Sequence, residues 1–381
     1  MKLLSLQSGL NQFETCNAFL EEFKINKNDL IITCSYIYDD FFKKYDLPAQ
    51  IIFQDRYGAG EPSDEMITDM IAAIDQNRPY ERIFGIGGGT VMDISKLFAL
   101  KQMTPLVELF TGKIAPEKKC PLILVPTTCG TGSEVTNVSI VGFPALDTKL
   151  RLAADALYAD EAVLIPELTK HLPRHVFATS SIDALIHAIE SSLSPLATPY
   201  SKAFGHEAIR MIIGAYKQIR VCGYDCLDTL MDTFLVASNF AGIAFGKAGC
   251  GAVHALSYPL SGKYHVAHGE ANYVLLTSVL KKYATKECSP KYSEVIQILA
   301  GALECEPGEV TTRLDELLSV VLEKKPMHTY GATPDDVPAF AESVLTYQQV
   351  IMSHNPTVLS KEDIMDIVFK NTYFRKKYRA I

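Results

Sequence analysis

The chain has 381 residues, 48% of them hydrophobic and 21% charged, with a formal net charge of -8. That length exceeds one ordinary hydrophobic core and predicts two domains of a globular protein. The acidic balance argues against nucleic acid or an anionic membrane as partner, and no apolar run reaches the roughly 18 residues of a membrane span.

The amino-terminal MKLLSLQSGLNQFE carries one lysine and a short, broken apolar stretch, poor as a signal peptide. The nine cysteines are scattered, odd in number and without a CxxC pair. Reduced thiols in a cytoplasm are therefore expected, not a disulfide frame.

In chain order, Asp29–Cys34 reads as a buried strand, Tyr36–Tyr45 as a helix and Gln50–Phe53 as a second strand. A turn at Gly58–Ser63 leads to a helix over Asp64–Gln76, with Ser63 as its cap. Arg82–Ile86 is a third strand running into glycines, followed by a helix over Val91–Lys101 and a strand at Leu122–Val125. Such alternation predicts a doubly wound parallel sheet. After about residue 175 helical periodicity takes over, at Ser181–Ser192, Ser201–Ile219, Cys226–Ala244, Ala271–Tyr283, Ser293–Ala302 and Ser360–Phe369. The expected organisation is an α/β dinucleotide-binding domain over residues 1–175 and an all-α, metal-binding catalytic domain over residues 176–381.

Two loops have the chemistry of a nucleotide site. Gly85-Ile86-Gly87-Gly88-Gly89-Thr90 follows a strand and opens a helix, so its backbone and the free N–H groups of the helix start are suited to a pyrophosphate. Its spacing is neither GxGxxG nor a P-loop. Pro126-Thr127-Thr128-Cys129-Gly130-Thr131-Gly132-Ser133-Glu134 also follows a strand and is rich in hydroxyls and glycines. The plainer reading of each is a tight turn whose hydroxyls bond local backbone.

Three of the nine histidines, His254, His265 and His268, fall in one short segment. Upstream, Asp183 and His187 stand four apart, on one face of a helix. A carboxylate gathered with imidazoles is a ligand set for iron or zinc. Taken singly, Asp183 and His187 read as a helix ion pair, His254 as a core histidine and His268 as a loop histidine in a Gly-flanked turn.

Together these motifs resemble the iron-containing (group III) alcohol dehydrogenase family. GGGTVMDISK at Gly87–Lys96 is similar to its GGGSxxDxxK, and Pro126–Glu134 to its PTTxGTGSE. Asp183–Glu190 is similar to its DALxHxxE, and Gly251–Asn272 to its GxxHxxxHPLxxxxxxPHGxxN. The resemblance implies the dehydroquinate synthase-like architecture, with catalysis in a cleft, Fe(II) as metal with zinc as the alternative, NAD as cofactor, and a homodimer. It implies that Asp183, His187, His254 and His268 hold the metal. It further implies that Gly88, Gly89, Thr90, Thr127, Thr128, Thr131 and Lys149 serve the cofactor, with Asp93 in the helix after the glycines. Asp93 also reads as a helix N-terminal charge with no ligand.

Two departures matter. The family's histidine four residues after the third ligand is Tyr258 here, so its proton relay passes to Tyr258 or to His265. The acid that NAD-dependent members place after the first strand is replaced by Cys34 and Ser35, which leaves NADP open beside NAD.

SYPLSGKYHVAHGEANY resembles the branch that interconverts 4-hydroxybutyrate and succinate semialdehyde. A substrate with a distal carboxylate needs a cation, and Lys247 and Lys263 flank the histidine segment. The expected activity is metal-assisted hydride exchange between NAD(H) and that primary alcohol/aldehyde pair. The alternatives are an iron-dependent dehydrogenase for uncharged short-chain alcohols or diols, a dehydroquinate-synthase-like lyase, and a nucleotide-binding protein with a relic site.

Overall fold

The structure, a computed structural model, describes residues 3–74, 79–146, 148–286 and 289–373. The chain divides into two compact units, Leu6–Leu172, and Pro173–Ile381 together with Met1–Ser5.

The first unit is built on strands β1 (Gly9–Gln12), β2 (Asp29–Thr33), β3 (Gln50–Phe53), β4 (Arg82–Gly87), β5 (Leu122–Pro126) and β8 (Glu161–Leu164). They form one six-stranded sheet in the order β1-β8-β5-β4-β2-β3, and every pairing is parallel. Every residue of β2 and β5 is buried. This explains why they read as continuous apolar runs, as strands covered on both faces do. The helices are α1 (Cys16–Phe23), α2 (Ser35–Ile37), α3 (Asp64–Ala72), α4 (Gly89–Phe98) and α5 (Leu106–Phe110). Ser63 caps α3 by accepting from the Met66 N–H, 3.1 Å away. The expected end of that helix at Gln76 lies outside the described residues.

Sheet order changes direction at β2, with β3 on one side and β4 on the other. At such a switch point the carboxyl ends of the strands open a crevice for ligands. The carboxyl end of β4 is the glycine turn, and the carboxyl end of β2 is Thr33-Cys34-Ser35.

One expectation for this unit needs correction. The helix read over Tyr36–Tyr45 is the short α2 followed by a π-turn at Tyr38–Phe42 and a 3₁₀ turn at Lys43–Tyr45. An unanticipated antiparallel hairpin joins β6 (Val138–Phe143) to β7 (Thr148–Ala153).

The second unit carries α6 (Arg174–Leu193), α7 (Pro199–Cys222), α8 (Leu227–Ala248), α9 (Ala252–Tyr264) and α10 (His268–Ala284). Further along come α11 (Pro290–Leu303), α12 (Val310–Leu318), α13 (Asp336–Tyr347), α14 (Gln349–Met352) and α15 (Lys361–Tyr373). No strand occurs in this unit among the described residues. Helix α6 is its axis, buried on nearly every side from Phe177 to Leu193 and packed on α7, α8 and α10. The stretch Pro199–Ala248 is apolar enough to be compared with a membrane span. It is two helices broken at Gly223–Cys226, and most of the apolar window is buried within the unit.

Helix α9 escapes sequence periodicity because Pro259 lies inside it and glycines precede it. His268 does not sit in a turn; it is the first residue of α10. Cys222 and Cys226 form a disulfide across the α7–α8 connection, correcting the expectation of reduced thiols for that pair. Among the described residues Cys16, Cys34, Cys120, Cys250 and Cys305 form no disulfide.

Candidate metal centre and nucleotide loops

Three elements of the helical unit converge on one carboxylate. Asp183, His187 and Glu190 stand at i, i+4 and i+7 of α6, one stripe of the helix, and all three are buried. His254 comes from the first turn of α9 and His268 from the first residue of α10. Asp183 Oδ1 lies 3.6 Å from His254 Nε2 and 3.8 Å from His268 Nε2, and Asp183 Oδ2 lies 3.9 Å from His187 Nδ1. Burial disfavours the charge on Asp183, but the imidazoles of His187, His268 and His254 outweigh it and hold the carboxyl well below the usual carboxylate range.

Close packing makes the convergence feasible. A Cβ on Gly269 would lie 2.0 Å from the Thr179 carbonyl oxygen and 3.2 Å from Asp183 Cβ. Only glycine lets the start of α10 press against α6 and bring His268 to Asp183. Asn272, one turn further along α10, donates from Nδ2 to Asp183 Oδ1 at 2.8 Å and lies 3.2 Å from His268 Nε2.

The start of α9 has no side-chain cap of its own, because Gly251 precedes it. Its free N–H groups are met from a distance instead. The Ala252 N–H donates to Asn355 Oδ1 at 2.7 Å, and the Val253 N–H to Glu190 Oε1 at 2.6 Å. The other oxygen of Glu190 lies 2.6 Å from His254 Nδ1. That contact places the proton on Nδ1 and turns Nε2 toward Asp183.

The donors fit a small divalent ion. Ligands about 2.1 Å from a tetrahedral ion stand about 3.4 Å apart. The donor atoms of Asp183, His254 and His268 all lie within 4.8 Å of one another. His254 Nε2 is buried and has no hydrogen-bond partner, the state of a nitrogen reserved for another ligand. His187 gathers in a second set, with His254 and a residue the sequence did not suggest, Cys250. The His187 ring stacks between Phe245, 4.4 Å between centroids, and His254, 4.7 Å.

The other expected residues are placed as follows. Tyr258 stacks beside His268, with ring centroids 6.0 Å apart. His265 is exposed at the left-handed C-cap of α9 and joins neither donor set. Lys263, expected as a free cation, is held by Asp336, which also accepts from the Tyr264 hydroxyl at 2.8 Å. Lys247 lies half-buried in the last turn of α8 with no ion pair among the described residues.

In the α/β unit the two predicted loops meet. The Thr127 N–H donates to the Gly87 carbonyl at 3.1 Å. A Cβ on Gly88 would touch Thr128 Cγ2 at 3.5 Å, and one on Gly89 would stand 2.8 Å from Thr131 Cγ2. Gly88 is the N-cap of α4, so the first N–H groups of that helix open beside these threonines. Thr90 Oγ1 donates to the Gly60 carbonyl at 2.8 Å. Lys149, on β7, pairs with Glu61.

Asp93 points inward. It accepts from Ser133 Oγ at 2.6 Å and from the Ile140 N–H at 3.1 Å. The fully buried Lys96 continues the staple, reaching Ser133 Oγ at 2.6 Å and the Val138 carbonyl at 2.6 Å. Asp93 therefore fixes the hydroxyl-rich loop. Sequence reasoning missed Asp55, which follows β3 and accepts from both the Ser35 N–H, at 2.7 Å, and the Ser35 hydroxyl. A carboxylate thus stands at the carboxyl end of β2 although no acid occurs there in sequence.

A family model for "Iron-containing alcohol dehydrogenase" matches residues 6–166, and one for "Fe-containing alcohol dehydrogenase family, C-terminal" matches residues 177–372. The chain belongs to the iron-containing alcohol dehydrogenase family. It is 45% identical over 373 residues to the 4-hydroxybutyrate dehydrogenase of Clostridium kluyveri, covering 98% of this chain and all of that one. It is 33% identical over 313 residues to the probable alcohol dehydrogenase EutG of Escherichia coli, covering 81% of this chain and 77% of that one. The fold is shared with the sulfoacetaldehyde reductase of Bifidobacterium kashiwanohense, solved in complex with NAD+ (TM-score 0.83, 21% identity, 97% and 98% of the two chains). It is likewise shared with a 1,3-propanediol oxidoreductase (TM-score 0.81, 22% identity, 97% and 99%).

Proposed function

We propose that the chain transfers hydride between NAD(H) and a primary alcohol/aldehyde pair, and that the pair is 4-hydroxybutyrate and succinate semialdehyde. The observation that carries the reading is the convergence of Asp183, His254 and His268, with His187 adjoining, in a protein 45% identical to a 4-hydroxybutyrate dehydrogenase over nearly its whole length.

Asp183, His187, His254 and His268 hold the ion, Fe(II) in this reading with zinc as the alternative. When bound, it supplies Lewis acidity toward the substrate oxygen, and the nicotinamide gives or takes the hydride. The chain's own residues do the rest. Glu190 and Asn272 orient the ligands. Gly88, Gly89 and the threonines at 127, 128 and 131 receive the cofactor phosphates and sugars. Tyr258, beside His268, carries the proton to or from the substrate oxygen, a role for which its place suits it better than the exposed His265. Lys247 meets the distal carboxylate, because Lys263 is already engaged by Asp336. Asp55 favours NAD, since its charge repels a 2′-phosphate and its oxygens suit a ribose hydroxyl. The enzyme works as a cytoplasmic homodimer in this reading, and sedimentation tests the dimer.

The test is NADH oxidation by Fe(II)-loaded protein with succinate semialdehyde against butanal. A kcat/KM higher by about 10² for the semialdehyde supports the reading. Equal values or a preference for butanal would move the substrate to an uncharged alcohol.

A further inference from the structure

The connection from α8 to α9 is three residues, Gly249-Cys250-Gly251, and its backbone is fixed on every side. Gly249 is left-handed, with φ +74°, and its N–H donates to the Phe245 carbonyl at 2.7 Å. A Cβ on Gly249 would run into the His354 ring at 2.3 Å, and one on Gly251 would stand 2.8 Å from Asn355 Oδ1 and 3.1 Å from Glu190 Oε1. His354 Nδ1 donates to the Cys250 carbonyl at 3.1 Å. Cys250 is therefore held in place by its neighbours, and its direction does not depend on a mobile loop.

That direction is toward the imidazoles. Cys250 Sγ and one ring nitrogen each of His187 and His254 all lie within 4.8 Å of one another. Independently, His254 Nε2 is buried without a hydrogen-bond partner. Two donor sets thus overlap at His254. One, with Asp183 and His268, is made of oxygen and nitrogen. The other, with His187 and Cys250, adds sulfur. Oxygen and nitrogen donors suit iron and zinc alike, whereas a thiolate draws the site toward thiophilic ions.

We propose that Cys250 is a further metal ligand, whose sulfur adds affinity for thiophilic divalent cations, zinc among them, to the centre that holds Fe(II) in the proposed function. The proposal rests on the metal centre described above and extends it to a donor absent from the oxygen and nitrogen set. On ligation the S–H bond is exchanged for a sulfur–metal bond and the proton passes to solvent; no electron is transferred.

The probe is Co(II) added anaerobically to chelator-treated, full-length protein. One Co(II) per chain is expected, with visible d–d bands and a near-ultraviolet thiolate-to-cobalt charge-transfer band. C250S should keep the d–d bands and lose the charge-transfer band. Stoichiometric binding without that band, or a band that persists in C250S, overturns the proposal and leaves the oxygen and nitrogen centre standing. No binding at all overturns both.

Should C250S fail to fold, the unaltered protein still decides the matter. One equivalent of Zn(II) should slow alkylation of Cys250 by iodoacetamide, followed by peptide mass spectrometry, on the order of tenfold, since the attacking thiolate is then occupied. An unchanged rate contradicts the proposal.

Discussion

Glu190 Oε2 stands 2.6 Å from His254 Nδ1 while its Oε1 receives the Val253 N–H at 2.6 Å, so one carboxylate both starts α9 and sets the tautomer of the candidate ligand His254 that α9 carries. Fold and chemistry share this residue. Replacing Glu190 by glutamine keeps the shape and removes the charge. Metal affinity should fall about 10–100-fold, as for other partners of ligand histidines. Competition with a chromogenic chelator measures it, and an unchanged affinity would show that the carboxylate only caps the helix.

Gly269 is a second point where packing controls the site. Gly269→Ala places a methyl against the Thr179 carbonyl and Asp183 Cβ. Helix α10 must shift away from α6. The expected cost is about 1–3 kcal/mol in unfolding free energy, with loss of stoichiometric metal. Denaturant melts and metal analysis report the two effects separately.

The two lysines should behave differently. Lys247→Ala is expected to raise KM for succinate semialdehyde about tenfold or more, through loss of a charge-assisted contact, and to leave KM for butanal unchanged. Lys263→Ala should leave the ratio of the two KM values as it was, because that lysine is bound to Asp336. Steady-state kinetics on both aldehydes check this.

Asp55→Ala should relax the cofactor preference. Removing a carboxylate from the carboxyl end of β2 lowers the electrostatic penalty on a 2′-phosphate and loses a partner for the ribose. The expected result is a fall of about tenfold or more in the NADH-to-NADPH ratio of kcat/KM. No change would place the ribose elsewhere.

Much of this was legible in the chain. Asp183 and His187 announce themselves by four-residue spacing, and β4 and β5 by their apolar runs into glycines and threonines. What escaped depends on distant partners. Nothing near Lys263 signals Asp336, 73 residues on, or shows that Ser35 borrows the carboxylate of Asp55. Glu190 was visible in DALIHAIE, but its role exists only once α9 begins at its side chain. Helix α9 was hidden by Pro259 and the flanking glycines, and with it the placement of Cys250 beside His187 and His254. The β6–β7 hairpin was missed although Val138–Phe143 alternates buried with half-buried residues.

Turnover should depend on an ion held by Asp183, His187, His254 and His268. The most direct measurement is NADH oxidation with succinate semialdehyde by chelator-treated protein, before and after one equivalent of Fe(II), beside the same experiment on His254→Ala. Negligible turnover is expected without metal, with recovery at about one ion per chain and no recovery in the variant. Full turnover by protein shown to contain no metal, or recovery in His254→Ala equal to the unaltered chain, would contradict that dependence.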